Sequence, residues 1–163
     1  MSYNFFERHN KAILIGNSDA KTADDGKLNV TLHHNYFHNL VQRAPRVRWG
    51  RVHVYNNYYQ TDDESGEYRY AYSLGVGKNA KIYAENNVAD IDGRTYQDFV
   101  KVFGGTELTT LNNIFNGEKI DTFNEHLSQV TWMPERSMKI DDVNEVKAKV
   151  LQHAGVFKEA IIP

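Results

Sequence analysis

A short asparagine-containing string recurs along this chain, and the recurrence narrows the folds open to it. Residues 30–37, 52–59, 80–88 and 108–115 each begin as a β-branched or aliphatic strand and then place Asn before an apolar or aromatic pair. Residues 13–17 share the strand character. Asn35, Asn57, Asn87 and Asn113 are separated by 22, 30 and 26 residues. A repeat of roughly 20 to 50 residues is the signature of a solenoid or array. Strands repeating without helices between them point to a β-solenoid. In stacked coils each turn meets its corner at the same place, and Asn tolerates corner backbone that other residues resist. Its amide offers two donors and an acceptor, so stacked Asn side chains can bond along the solenoid axis. The alternative is an antiparallel sandwich with turn-forming Asn-Asn pairs. The solenoid is favoured because the Asn lie inside the apolar segments, not between them.

The chain of 163 residues has the length of one domain. The repeat predicts coils over about 1–118, followed by a tail over 119–163. Asp142-Val143-Asn144-Glu145 in that tail resembles a capping box. Val143, Val146, Val150 and Ala154 follow at helical spacing, and Gly155 is a plausible stop. The predicted helix caps the solenoid on a side or an end. Two insertions, 60–72 and 90–105, interrupt the period and are expected to project as loops on a binding face. The first carries Asp62, Asp63, Glu64 and Glu67. The absence of Cys excludes disulfides, thiolate zinc sites and Cys nucleophiles. No apolar run reaches the roughly 20 residues of a membrane span. A net charge of −2, from 19 basic and 21 acidic side chains, argues against a nucleic-acid binder working by bulk charge.

The densest chemical feature is 42–51, Gln-Arg-Ala-Pro-Arg-Val-Arg-Trp-Gly-Arg, with Arg43, Arg46, Arg48 and Arg51. In an unbroken strand Arg43 and Arg48 face opposite ways, because their separation is odd. Pro45 cannot donate to a ladder, and a bend there can bring both guanidinium groups to one surface. Arg is suited to bidentate carboxylate recognition. A solvated basic edge that blunts strand pairing accounts for the same residues equally well.

Arg43-x-Pro45-x-x-Arg48, within the string that runs from Val30-Thr31-Leu32-His33-His34-Asn35 to Val52-His53-Val54-Tyr55-Asn56-Asn57-Tyr58-Tyr59, resembles the pectate lyases of polysaccharide lyase family 1. The segment from Asn10-Lys11-Ala12 to Asn17-Ser18-Asp19 is similar to the family's Lys-containing stretch. The resemblance covers residues 1 to about 115 well and the tail more loosely. It implies a right-handed parallel β-helix truncated on its N-terminal side. It implies secreted enzymes that cleave polygalacturonate by calcium-assisted β-elimination. Arg43 falls on the position of the Brønsted base, and Lys11 and Arg48 on positions that bind substrate carboxylates. The family's calcium-ligating acids lie upstream of the Lys segment, and ten residues precede Lys11 here. The calcium ligands are therefore not identifiable in this chain. The isolated chain is expected to be weakly active or inactive and to self-associate through its exposed solenoid end.

The chemistry is coherent with that assignment. A proton next to a uronate carboxylate becomes acidic only when the carboxylate charge is offset, which cations do electrostatically. Arg as the base is awkward, because a guanidinium is ordinarily protonated, although neighbouring cations and burial favour its neutral form. Other residues carry simpler readings. His33 and His34 are adjacent in a strand, so one points in and one out, and structural packing is favoured over catalysis. A metal site using His38 is weak, because calcium prefers oxygen. Asp19, Asp24 and Asp25 read as loop acids. Trp49 and the pair Tyr58-Tyr59 can stack on sugars, though core packing is the commoner fate. The competing functional class is a non-catalytic β-solenoid that binds acidic polysaccharide.

Overall fold

A computed structural model describes residues 1–62, 66–135 and 139–156. Asp63 and Glu64 lie outside the described residues.

The strands come in threes. The first set is β1 (Phe5–Lys11), β2 (Leu14–Ile15) and β3 (Leu28–His33). The second is β4 (Tyr36–Gln42), β5 (Arg46–Val47) and β6 (Gly50–Tyr55). The third is β7 (Tyr58–Thr61), β8 (Leu74–Gly77) and β9 (Lys81–Glu85). The fourth is β10 (Val88–Ile91), β11 (Val100–Phe103) and β12 (Glu107–Leu111). Then come β13 (Asn113–Phe115), β14 (Glu118–Ile120) and one helix, α1 (Val143–His153). Each strand pairs in parallel with its counterpart in the next set, giving sheets β2-β5-β8-β11, β3-β6-β9-β12 and β1-β4-β7-β10-β13. Only β14 joins antiparallel, to β13. This is a parallel β-solenoid. Val30, Val52, Ile82 and Leu108 stand in one interior row, and Phe6, Phe37 and Tyr59 stack in another with ring centroids 5.2 and 4.8 Å apart.

The asparagines divide the corner work between them. Asn35, Asn57, Asn87 and Asn113 form the axial ladder, each buried and each accepting through Oδ1 from the backbone N–H and side-chain amide of the residue one coil before it. Asn4 is the first of the series, at 2.9 Å from Asn35. Residues 13–17, read as a fifth repeat, belong instead to the β2 face. The left-handed backbone is not at the ladder residues but one position earlier, at His34, Asn56, Asn86 and Asn112, with φ between 49° and 53°. Adjacent residues therefore carry the two properties that the sequence reading assigned to one.

The αL residues also hold the tail. Asn56 and Asn86 donate to the Asp141 carbonyl at 3.1 and 2.9 Å, Asn56 Oδ1 accepts from the Asp141 N–H, and His34 Nε2 lies 2.8 Å from the Asp141 carboxylate. The helix begins two residues later, at Val143. Asp142 caps it by accepting from the Asn144 N–H, and Gly155 ends it at φ +106°. Val143, Val146 and Val150 pack on Tyr36, Tyr58 and Val88, so α1 covers a side of the solenoid and not an end.

His33 and His34 are both buried beneath this tail, and their Nδ1 atoms lie 2.8 Å apart. Burial, with His34 next in importance, pushes the His33 pKa down to about 4. The native imidazole is thus neutral at pH values where the unfolded chain binds a proton. Stability should fall as pH drops from about 6.5 to about 4, by on the order of 1–2 kcal/mol. Melting temperature against pH should be flatter in His33→Gln; identical slopes would remove His33 as the cause.

Candidate functional site

The arginine stretch occupies two corners of the second coil. β4 ends at Gln42, Arg43 turns with φ +66°, β5 crosses at Arg46–Val47, and Trp49 turns again with φ +58° before β6. A side chain other than Gly or Asn in the left-handed region costs roughly 1–2 kcal/mol, a strain that tends to collect at functional positions. Neighbouring coils hold Arg43 there: Ile13 N–H donates to its carbonyl at 2.7 Å, and Ala44 N–H donates to Ser73 at 2.9 Å. The bend expected at Pro45 therefore exists, and it breaks the alternation that would separate Arg43 from Arg48. Both insertions leave the β1-containing sheet at this same corner, one between β7 and β8 and one between β10 and β11.

Lys11 closes the group from the coil before. It ends β1 in register with Gln42, next to Arg43, and is exposed. Arg48 is held by Asp19, which accepts from Nε at 2.7 Å, and by the Asn17 carbonyl, which accepts from Nη1 at 3.2 Å. Between the two corners, the Arg46 pKa is lowered by burial first and then by the charges of Arg48 and Arg43. The Nε atoms of Arg43 and Arg46 are buried without a hydrogen-bond partner among the described residues. A cationic cluster with one paired carboxylate is complementary to an anionic ligand.

Two features escaped the sequence reading. Asp19 was read as a loop acid, yet it anchors Arg48. Arg46 has no role of its own in the sequence pattern, yet its guanidinium carbon stands 3.9 Å from the centre of the Phe103 ring. The available signal was glycine inside strand β8, which marks close approach. A Cβ at Gly75 would meet Arg46 Cγ at 2.8 Å, and one at Gly77 would meet the Val47 carbonyl at 2.4 Å. A side chain can yield where backbone cannot. Gly77→Ala should therefore cost about 2–3 kcal/mol and Gly75→Ala about 1; chemical denaturation of both tests the order, and the reverse order would contradict this packing.

The other candidates sort by burial. Tyr58 and Tyr59 are core residues, and Tyr58 lies under α1. Trp49 is half-buried and donates its indole N–H to the Ser18 carbonyl at 3.1 Å. Asp24 and Asp25 accept from Asn17 and Asn79, as loop acids do. His38 lies 3.3 Å from both Glu7 and Asp62. Among the described residues no group of three or more such side chains is placed to hold a metal ion. A cavity of about 670 Å³ lies elsewhere, between Asn29–Thr31 with Arg51 and residues 132–135. It gathers a single Arg, whereas the β2-β5-β8-β11 face gathers several cations.

Fold and site together define a parallel β-solenoid with a cationic face at one corner. The profile of the pectate lyase family matches residues 1–159, and the chain belongs to that family. A pectate lyase of Bacillus subtilis (strain 168) is 47% identical over 161 residues, 97% of this chain and 38% of the relative. Pectate lyase E of Dickeya chrysanthemi is 41% identical over 75% of this chain and 34% of its own length. A solved pectate lyase bound to a hexasaccharide superimposes with a TM-score of 0.91 at 47% identity, covering 95% of this chain and 40% of that one. The chain spans about two-fifths of the length of the curated relatives it matches.

Proposed function

We propose that this chain carries the cationic part of a polygalacturonate-cleaving site, with Arg43 as the base of a β-elimination and Lys11 and Arg48 as its carboxylate-binding groups. The observation that carries the reading is the placement of Arg43 and Arg48 at the two corners of the second coil, with Lys11 in register beside Arg43 on the coil before. The β-solenoid fold and family membership support the substrate class. In the reaction, Arg43 takes the proton from the carbon next to a uronate carboxylate. The released electron pair forms a carbon–carbon double bond as the glycosidic carbon–oxygen bond on the next carbon breaks. Lys11 and Arg48 offset the charge that builds on the carboxylate, and fixed cations do this without reorganising. Calcium is proposed to assist, and its ligands are not identifiable in this chain. Secretion follows from the substrate, a polymer too large to enter a cell. Nucleic acid and membrane are not proposed partners; no described helix is long and apolar enough to cross a membrane.

A second reading has the 163-residue chain bind acidic polysaccharide with little turnover of its own, Arg48 being already paired with Asp19 at 2.7 Å. Calcium-dependent release of unsaturated oligogalacturonate by the purified chain, lost in Arg43→Ala, would overturn that second reading. Calorimetry tests what both share. Polygalacturonate should bind, and fully methyl-esterified pectin, whose carboxylates are masked, should not; equal binding of the two would refute carboxylate recognition.

A further inference from the structure

Arg46 does not point where its strand position suggests. Its side chain leaves the second coil, passes over Gly75 in the third and places its guanidinium on Phe103 in the fourth. Lys101, two residues before Phe103 on β11, brings its ammonium to 5.7 Å from the same ring centroid and 5.9 Å from that of Tyr72. Strands β5 and β11 are two coils apart, ~10 Å at ~4.8 Å per coil, and the Arg46 side chain and the Phe103 ring close that gap together. Two cations thus stand 3.9 and 5.7 Å from the centre of one aromatic ring. Neither has a carboxylate within ion-pair distance among the described residues. Aromatic faces attract cations but leave the charges in place. An arrangement with two charges and no counter-ion is suited to an incoming carboxylate, and Gly75 is required for it, because a Cβ there would block the Arg46 stem.

We propose that Arg46 and Lys101, brought together at Phe103, form a second carboxylate-binding position that runs from the second coil to the fourth, beyond Lys11 in the first. It recognises a uronate unit of the same polymer other than the one held at Lys11, Arg43 and Arg48. The position therefore sets a preference for long, unesterified runs over short ones. The inference rests on the polygalacturonate reading above and adds a length dependence that the reading alone does not require.

The test is calorimetric binding of a galacturonate hexamer and a dimer to the wild-type chain, Lys101→Met and Arg46→Gln. Each substitution should weaken the hexamer roughly tenfold, the loss of one charge-assisted contact, and change the dimer less than twofold. Lys101 is exposed, so Lys101→Met keeps the fold even if Arg46→Gln loosens the platform. Wild-type hexamer affinity retained in Lys101→Met, or equal losses for hexamer and dimer, would overturn the second position while leaving the first intact. A wild-type chain that binds neither ligand would overturn the polygalacturonate reading and this position with it.

Discussion

Asn57→Ala is expected to lower the melting temperature by roughly 10 °C, or to leave the chain unfolded at room temperature. Asn57 is fully buried at the centre of the ladder. Its Oδ1 accepts from the Asn35 backbone and side chain, both at 3.0 Å, and its amide donates to the Leu32 and Tyr55 carbonyls at 3.0 and 3.1 Å. Alanine removes these partners together and leaves donors and acceptors buried without water. A buried group left unsatisfied costs about 1–3 kcal/mol, so several cost about 3–5. That is a large share of the 5–15 kcal/mol typical of a domain, and each kcal/mol moves the midpoint about 2–4 °C at this size. Asn116→Ala is the control. Asn116 is exposed and bonds the neighbouring coil outside the ladder. If thermal melting finds Asn57→Ala no worse than Asn116→Ala, the ladder is not what holds the corners.

Arg48→Ala should weaken polygalacturonate binding by roughly 100-fold while leaving any weak DNA binding unchanged. Two effects act in the same direction. The variant loses a charge-assisted, bidentate-capable donor, about 1.5–3 kcal/mol. It also releases Asp19, now joined to Arg48 at 2.7 Å, and so puts an uncompensated carboxylate beside the ligand's own. Arg48→Ala/Asp19→Ala should therefore recover part of the affinity, which a loss of folding would not allow. A double variant no better than the single would leave only the first effect, and unchanged binding in Arg48→Ala would remove it from the site.

The repeat was legible because the chemistry that builds it is periodic. Asn35, Asn57, Asn87 and Asn113 each do the same work in the same place, so spacing alone revealed them. The first ladder member, Asn4, was hidden because only Met1-Ser2-Tyr3 precede it here, so no apolar strand string leads into it. The cap at Asp142 and the stop at Gly155 were legible for the same reason: both are local rules. Arg43 and Arg48 could be placed on one surface only through the break at Pro45. Arg46 was hidden because its partner, Phe103, is distant in sequence and adjacent only through stacking. The Asp141 clamp was hidden likewise, since nothing near Asp141 in sequence indicates His34, Asn56 and Asn86.

The central claim is that the corner bearing Lys11, Arg43 and Arg48 receives the carboxylates of a polyuronate. A crystal structure of the chain with a galacturonate hexamer tests it most directly. The account predicts uronate carboxylates within hydrogen-bond distance of Lys11 and Arg48, with a ring carbon facing Arg43. A hexamer seated instead in the cavity between Arg51 and Trp132 would contradict it.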